Sequence, residues 1–82
     1  MKYSVVIEKR ARQFISKQPQ NQRERLLRAI AKLPYEGDIK PLKGRSGFFR
    51  LRVGDYRIIY RVEEDRYVVV VIDAGNRGQI YK

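Results

Sequence analysis

Residues 48–61, FFRLRVGDYRIIYR, decide the fold of this chain. Two runs rich in aromatic and branched residues flank Gly54-Asp55, a dipeptide typical of the two-residue turn that closes a β-hairpin. Such a turn also sets the register, because Val53 must then face Tyr56 and every other pair follows outward from the turn. The further predicted pairs are Leu51 with Ile58, Phe49 with Tyr60, Arg52 with Arg57, Arg50 with Ile59, and Phe48 with Arg61.

This register divides the hairpin into an apolar face and a basic face. On the basic face Arg52 lies opposite Arg57, and like charges in that position destabilise a ladder by up to about 1 kcal/mol. Arg50 and Arg61 share the face, and the pattern places no acidic residue among the four arginines. A guanidinium offers phosphate a planar fork of two parallel donors. The hairpin therefore predicts a surface for a phosphate-rich polymer, RNA above all. The alternative is an edge hairpin that carries charge against aggregation.

The rest of the chain predicts two helices and two further strands around this hairpin. A β-branched run at 3–7 precedes two stretches with apolar residues at helical spacing, which Pro19 separates. Residues 35–47 read as a loop, 67–73 as a buried strand, and 75–78 (GNRG) as a turn. The order is β-α-α-β-β-β. It predicts one α+β domain over residues 1–82, with both helices packed on one face of a mainly antiparallel sheet.

Composition narrows the class of protein. The chain has 82 residues, a net charge of +10, and neither cysteine nor histidine, so it lacks the usual zinc ligands. We expect no metal and no small-molecule cofactor. The longest apolar run, 68–72, is far shorter than the roughly 20 residues that span a bilayer, so we expect a cytoplasmic protein without a membrane partner. So much positive charge on a short chain favours polyanionic partners.

Other residues extend the predicted site beyond the arginines. Phe48 and Tyr81 offer ring faces on which unpaired bases can stack. Arg77 follows the last strand, and from there it can lie beside Arg52 and Arg57. Three basic residues before the hairpin are candidates for further phosphate contacts, with plain loop charge as the alternative; they are Lys40, Lys43 and Arg45.

Two segments make a family resemblance visible. GDIKPLKGRSGFFRLRVGDYRIIYRV (37–62) and IDAGNRGQIYK (72–82), in this order of elements, resemble the RelE/ParE superfamily of bacterial and archaeal type II toxins, on the RelE side. The resemblance covers the whole chain. It implies a toxin that enters the ribosomal A site and cleaves mRNA there. It also implies a cognate antitoxin, expected to be acidic, that wraps the toxin and neutralises it.

Carried over residue by residue, the resemblance also implies a catalytic set. The family's basic pair falls at Arg50 and Arg52, and its later arginines and tyrosine fall at Arg57, Arg77 and Tyr81. The implied catalytic residues are Arg52, Arg57, Arg77 and Tyr81, while Arg50, Arg61 and Phe48 would bind RNA.

The proton acceptor stays unassigned. Some relatives have lysines at the positions of Arg50 and Arg52, and many have histidine at that of Asn76. Two other functions remain open: a ParE-like inhibitor of DNA gyrase that cuts no RNA, and a non-catalytic module that binds RNA or the ribosome.

Overall fold

The structure, a computed structural model, describes residues 2–76. In this part of the chain two helices follow the first strand and four further strands follow the helices. The predicted α+β architecture is therefore confirmed. The elements are β1 (Ser4–Ile7), α1 (Lys9–Ser16), α2 (Gln20–Ala31), β2 (Asp38–Pro41), β3 (Phe48–Val53), β4 (Tyr56–Glu63) and β5 (Val68–Asn76), with a 3₁₀ turn at Glu64–Arg66 between the last two strands.

The two helices lie where the apolar spacing and Pro19 predict them. Pro19 directly precedes α2 with φ −55° and ψ 150°, so its fixed φ suits the helix start and its missing N–H breaks no helical hydrogen bond. Each helix buries one face, with Ala11 and Ile15 from α1 and Leu26 and Ile30 from α2. These side chains form one hydrophobic cluster with the sheet.

The sheet has the strand order β1-β5-β4-β3-β2. β1 and β5 run parallel, and the other neighbouring pairs are antiparallel. β5 lies between β1 and β4, which explains its nearly continuous run of valines: Val69 and Val71 are fully buried against the helices. The helices cover one face of the sheet and leave the other uncovered by helices.

The hairpin register is confirmed at every predicted pair from Phe48–Arg61 to Val53–Tyr56. Leu51 and Ile58 face the helices and are 1% and 0% exposed. The intervening residues, including Arg52 and Arg57, consequently point to the opposite face, because side chains alternate along a strand.

The prediction of a loop at 35–47 is wrong for its middle. Asp38–Pro41 form β2, which pairs antiparallel with β3, Asp38 facing Arg52 and Lys40 facing Arg50. β2 is the outermost strand, so the hairpin does not form the edge of the sheet. The alternative interpretation, an edge hairpin that carries charge against aggregation, therefore does not apply.

The predicted turn at 75–78 is also wrong for its first half. Gly75 and Asn76 belong to β5, where they pair with Arg57 and Tyr56. Residues 77 and 78 lie outside the described residues. None of the helices within residues 2–76 is long and apolar enough to cross a membrane.

Candidate functional site on the arginine face

We call the sheet face opposite the helices the arginine face, because it carries Arg50, Arg52, Arg57 and Arg61. Its central feature is one row of register partners across four strands. In this row Asp38 on β2 faces Arg52, Arg52 faces Arg57, and Arg57 faces Gly75 on β5. Neighbouring strands lie about 4.8 Å apart, so the two guanidinium groups of the row can reach a single anion between them.

Each end of this row differs from its centre. Gly75 contributes no side chain, so nothing on that strand crowds Arg57 from the side. Asp38, at the other end, adds a carboxylate beside Arg52. Arg52 itself is exposed, and its Nε donates a long hydrogen bond of 3.4 Å to the carbonyl oxygen of Gly54 in the hairpin turn. The Arg52 side chain is therefore exposed to solvent, and its guanidinium contacts the hairpin turn through Nε.

Arg50 is the most enclosed cation of the face, with 8% of the residue exposed. Its Nη2 lies 3.7 Å from Oδ1 of Asp38, an ion pair that is too long for a good hydrogen bond. Desolvating a guanidinium is costly unless a counter-charge lies near, which the Asp38 carboxylate provides. The predicted contact of Arg50 with RNA stays a prediction, and its burial leaves little of this side chain for a ligand.

Arg61 is held by an acid of its own strand. Its Nε and Nη2 donate to Oε2 of Glu63 at 3.3 and 3.1 Å, and Nη1 of Arg66 donates to the other oxygen at 2.9 Å. The prediction that no acid lies among the arginines is therefore wrong. Glu63 is two residues beyond Arg61 and so on the same face, while Asp38 arrives on a strand that the sequence did not predict.

Two apolar residues lie within the arginine face and are nevertheless buried. Ile59 and Val70 are each 5% exposed, although the helices pack against the other side of the sheet. Their register partners on this face are Arg50 for Ile59 and Arg61 for Val70. Because an arginine carries three methylenes before its charge, its side chain can cover an apolar neighbour and still present the guanidinium to water. Cover by these arginines would account for the burial of Ile59 and Val70 on this face.

The basic loop before the hairpin joins the same face. Lys40 faces Arg50 across the β2–β3 ladder and is exposed, as are Lys43 and Arg45. The guanidinium carbon of Arg45 lies 4.5 Å from the ring centroid of Phe48, a cation–π contact. One face of the Phe48 ring is thus already occupied by Arg45. Roles of these residues in RNA binding stay predictions.

Arg77 and Tyr81, two of the four predicted catalytic residues, lie outside the described residues. The described chain ends at Asn76, one position beyond the partner of Arg57. What the structure brings together of the predicted catalytic set is therefore Arg52 and Arg57. Sequence reasoning missed Asp38, although the alternation of Asp38 with Lys40 would have placed both on this face had 38–41 been assigned as a strand.

The family model described as the ParE toxin of the type II toxin–antitoxin system, parDE, matches residues 7–81. Toxin RelG of Mycobacterium tuberculosis is 31% identical over 91 aligned residues, which cover 100% of this chain and 99% of RelG.

Solved toxin structures share the fold of this chain. The toxin chain in the crystal structure of the archaeal RelE–RelB complex from Pyrococcus horikoshii OT3 superposes with a TM-score of 0.81 at 30% identity, covering 96% of this chain and 99% of that one. The toxin–antitoxin complex RelBE2 of M. tuberculosis gives a TM-score of 0.78 at 26% identity, with coverages of 94% and 100%. The chain belongs to the ParE toxin family of type II toxin–antitoxin systems. Within the wider RelE/ParE superfamily it is a RelE-like toxin.

Proposed function

We propose that this toxin is a ribosome-dependent, metal-independent endoribonuclease that cleaves mRNA in the A site and so stops translation. The observation that carries the proposal is the Arg52–Arg57 pair, two cations directly opposite each other on the free face of the sheet. Like charges directly opposite each other across a ladder cost up to about 1 kcal/mol, and an anion bound between the two side chains would offset that cost. The net charge of +10 draws such a chain towards RNA.

The reaction begins with attack of a ribose 2′-oxygen on the adjacent phosphorus and leaves a 2′,3′-cyclic phosphate and a 5′-hydroxyl. Negative charge grows on the phosphate oxygens as the bond forms, and fixed donors aimed at that charge lower the barrier. Arg57 and Arg77 are the proposed donors, while Arg52 holds the nucleophilic side. Tyr81 is assigned to stacking or proton relay. The ribosome holds the mRNA in a geometry suited to in-line attack.

The proposed partners follow from the same face and from the relatives. Both structures described above are complexes of RelE-type toxins with an antitoxin, which supports a cognate antitoxin for this chain. We propose an acidic antitoxin that shields the arginine face, and a cytoplasmic setting with ribosome and mRNA as targets. No membrane, metal or small-molecule cofactor enters the proposal.

The test is primer extension on mRNA from cells that express the toxin. Wild-type toxin is expected to produce breaks at defined positions within codons. Arg57→Ala and Arg57→Gln should lower cleavage by about 10²-fold or more, because each removes a donor to the developing charge. The glutamine variant keeps a longer stem over the sheet and so controls for loss of packing.

Arg28→Ala is the matched control, since it removes one exposed arginine from α2 on the helix side of the molecule. It should leave the breaks unchanged. Cleavage that survives in both Arg57 variants would show that the arginine pair is not the active site. Translation arrest with intact mRNA would instead identify a non-catalytic RNA- or ribosome-binding module.

A second candidate function is inhibition of DNA gyrase, which the family model favours because its description names ParE toxins. A gyrase inhibitor has no need of paired arginines over a phosphate. Supercoiling and relaxation assays with purified toxin separate the two functions. We expect gyrase activity to be unaffected at toxin concentrations that halt translation.

A further inference from the structure

The proposed reaction requires a group that accepts the 2′ proton, and arginines do not provide one. A guanidinium stays protonated throughout the accessible pH range, so Arg52 and Arg57 can bind charge but cannot act as a base. The chain contains no histidine. Among the described residues, the remaining candidates near the arginine face are Lys40 and several carboxylates, and Lys40 pairs with Arg50, outside the row that holds Arg52 and Arg57.

Three of these carboxylates are bound by other groups or lie outside the row that holds Arg52 and Arg57. Glu63 accepts hydrogen bonds from Arg61 and Arg66, and it is six positions from Arg57 along β4. Asp73 Oδ1 lies 3.4 Å from Nε of Arg10 on α1 and accepts the backbone N–H of Ala74. Asp55 is in the hairpin turn and has no register partner in the sheet, so it stands outside the row that holds Arg52 and Arg57.

Asp38 differs from all three in its position. It is the register partner of Arg52, so it stands in the same row as the proposed phosphate site and one strand away from it. Its side chain is 56% exposed, which leaves the carboxylate accessible to a ligand. Arg50 lies 3.7 Å from Oδ1 and so orients the carboxylate towards the arginine face.

We propose that Asp38 is the general base of this toxin, an inference that rests on the proposed ribonuclease function. The carboxylate takes the proton of the 2′-hydroxyl as the 2′-oxygen forms its bond to phosphorus. The bond from phosphorus to the 5′-oxygen then breaks with its electron pair, and the 5′-oxygen takes a proton from water. Meanwhile Arg57 stabilises the charge on the phosphate oxygens, and Arg52 holds the phosphate on its nucleophilic side.

The spacing of the row suits this division of roles. A phosphate held between Arg52 and Arg57 lies above β3 and β4, and the next strand, about 4.8 Å further on, carries Asp38. The 2′-oxygen belongs to the ribose attached directly to that phosphate, so a ribose placed over β2 brings its hydroxyl to the carboxylate. General bases of this kind accelerate reactions by about 10²–10⁴-fold.

The test measures single-turnover cleavage and binding separately, with purified toxin and ribosomes stalled on a defined mRNA. Asp38→Asn keeps the size and polarity of the side chain but removes its basicity. We expect the cleavage rate to fall by about 10²-fold. Binding to the stalled ribosome should stay equal or become tighter, because one negative charge is lost from a surface that contacts RNA. Asp38→Glu restores a carboxylate and should recover most of the rate.

Asp65→Asn is the matched control, the same substitution at an exposed position in the 3₁₀ turn. It should cleave at the wild-type rate. The inference fails if Asp38→Asn also cleaves at that rate, or if its binding falls as much as its rate, since the residue would then only support the surface. A wild-type toxin that cuts no mRNA would overturn the proposed function as well, which distinguishes the two failures.

Discussion

At the scale of single residues, Tyr60 shows how the core constrains a titratable group. The residue is 1% exposed, and its ring stacks on that of Phe49 with centroids 5.5 Å apart. Burial raises the pKa of the Tyr60 hydroxyl from 10.0 to about 12, because the phenolate form would have to exist without water around it. The folded protein therefore holds this proton at a pH where the unfolded chain releases it.

This pKa shift predicts alkaline destabilisation. Below pH 10 the Tyr60 hydroxyl is protonated in both the folded and the unfolded state, and its full contribution to stability is present. Between pH 10 and about 12 only the unfolded chain loses this proton, so the free energy of unfolding falls as pH rises. The free energy of unfolding from urea titrations should fall more steeply in this window for wild type than for Tyr60→Phe. Tyr35→Phe, at a side chain with 64% exposure, should show the wild-type slope. Equal slopes for wild type and Tyr60→Phe would contradict the prediction.

The residue pairs of the hairpin could be predicted from the sequence, whereas the ion pair between Asp38 and Arg50 could not. All the hairpin pairs follow from Gly54-Asp55, since a two-residue turn leaves one register. The ion pair between Asp38 and Arg50 does not follow from any local pattern. It depends on a strand pairing between segments that are separated by a loop.

At the scale of elements, β2 is held in place by its neighbours more than by its own sequence. Its four residues, DIKP, include Asp, Lys and Pro, all of which are depleted in strands. Such a segment does not predict a strand, and only pairing with β3 makes it one. The same reason explains β5, which continues through Gly75 and Asn76 because β4 offers partners there.

Gly37, which leads into β2, gives a test of that attachment. Its φ of +131° is rarely adopted by other residues, and a Cβ at this position would lie 2.6 Å from Cδ1 of the buried Leu51. Gly37→Ala should therefore lower the free energy of unfolding by about 1–3 kcal/mol. In Gly37→Ala, amide hydrogen exchange should speed up more in β2 than in the rest of the sheet, relative to the wild type.

Gly44→Ala is the control for backbone strain alone. Gly44 also has a positive φ, +77°, but a Cβ there would meet no described atom within 4 Å. We expect a loss of about 1 kcal/mol from the left-handed backbone and no selective effect on β2. If both variants lose the same free energy of unfolding and show the same amide exchange, the close approach of residue 37 to Leu51 does not matter for the attachment of β2.

At the scale of the whole molecule, the net charge of +10 should govern the proposed binding to RNA. With a net charge of +10, binding to RNA releases counterions, and affinity falls as salt rises. For single-stranded RNA the slope of log K against log salt is about −0.7 per neutralised phosphate. Arg52→Ala should make this slope about 0.7 units less steep in titrations with a short RNA oligomer.

The matched control is again Arg28→Ala on α2, which should change the slope by much less. An equal change for both variants would mean that RNA contacts the molecule diffusely and not through the arginine face. The acidic antitoxin proposed above should show the same trend, with its complex weakening at high salt.

The order of the helices, the hairpin and the last strand was predictable, because apolar spacing, Pro19 and the hairpin turn each act locally. The position of an acid at the end of the arginine row was not, since it depends on how β2 pairs.

The cover that Arg50 and Arg61 give to Ile59 and Val70 has a consequence for the evolution of the toxin. A lineage escaping its own toxin gains from mutations that silence it, yet a small residue at these arginines would uncover an aliphatic patch on an open sheet. Such variants would lose toxicity but would become prone to aggregate. Silenced descendants should accordingly retain long side chains there, such as lysine or glutamine, more often than alanine or glycine. In such descendants the guanidinium groups are lost, while the aliphatic part of each side chain is retained.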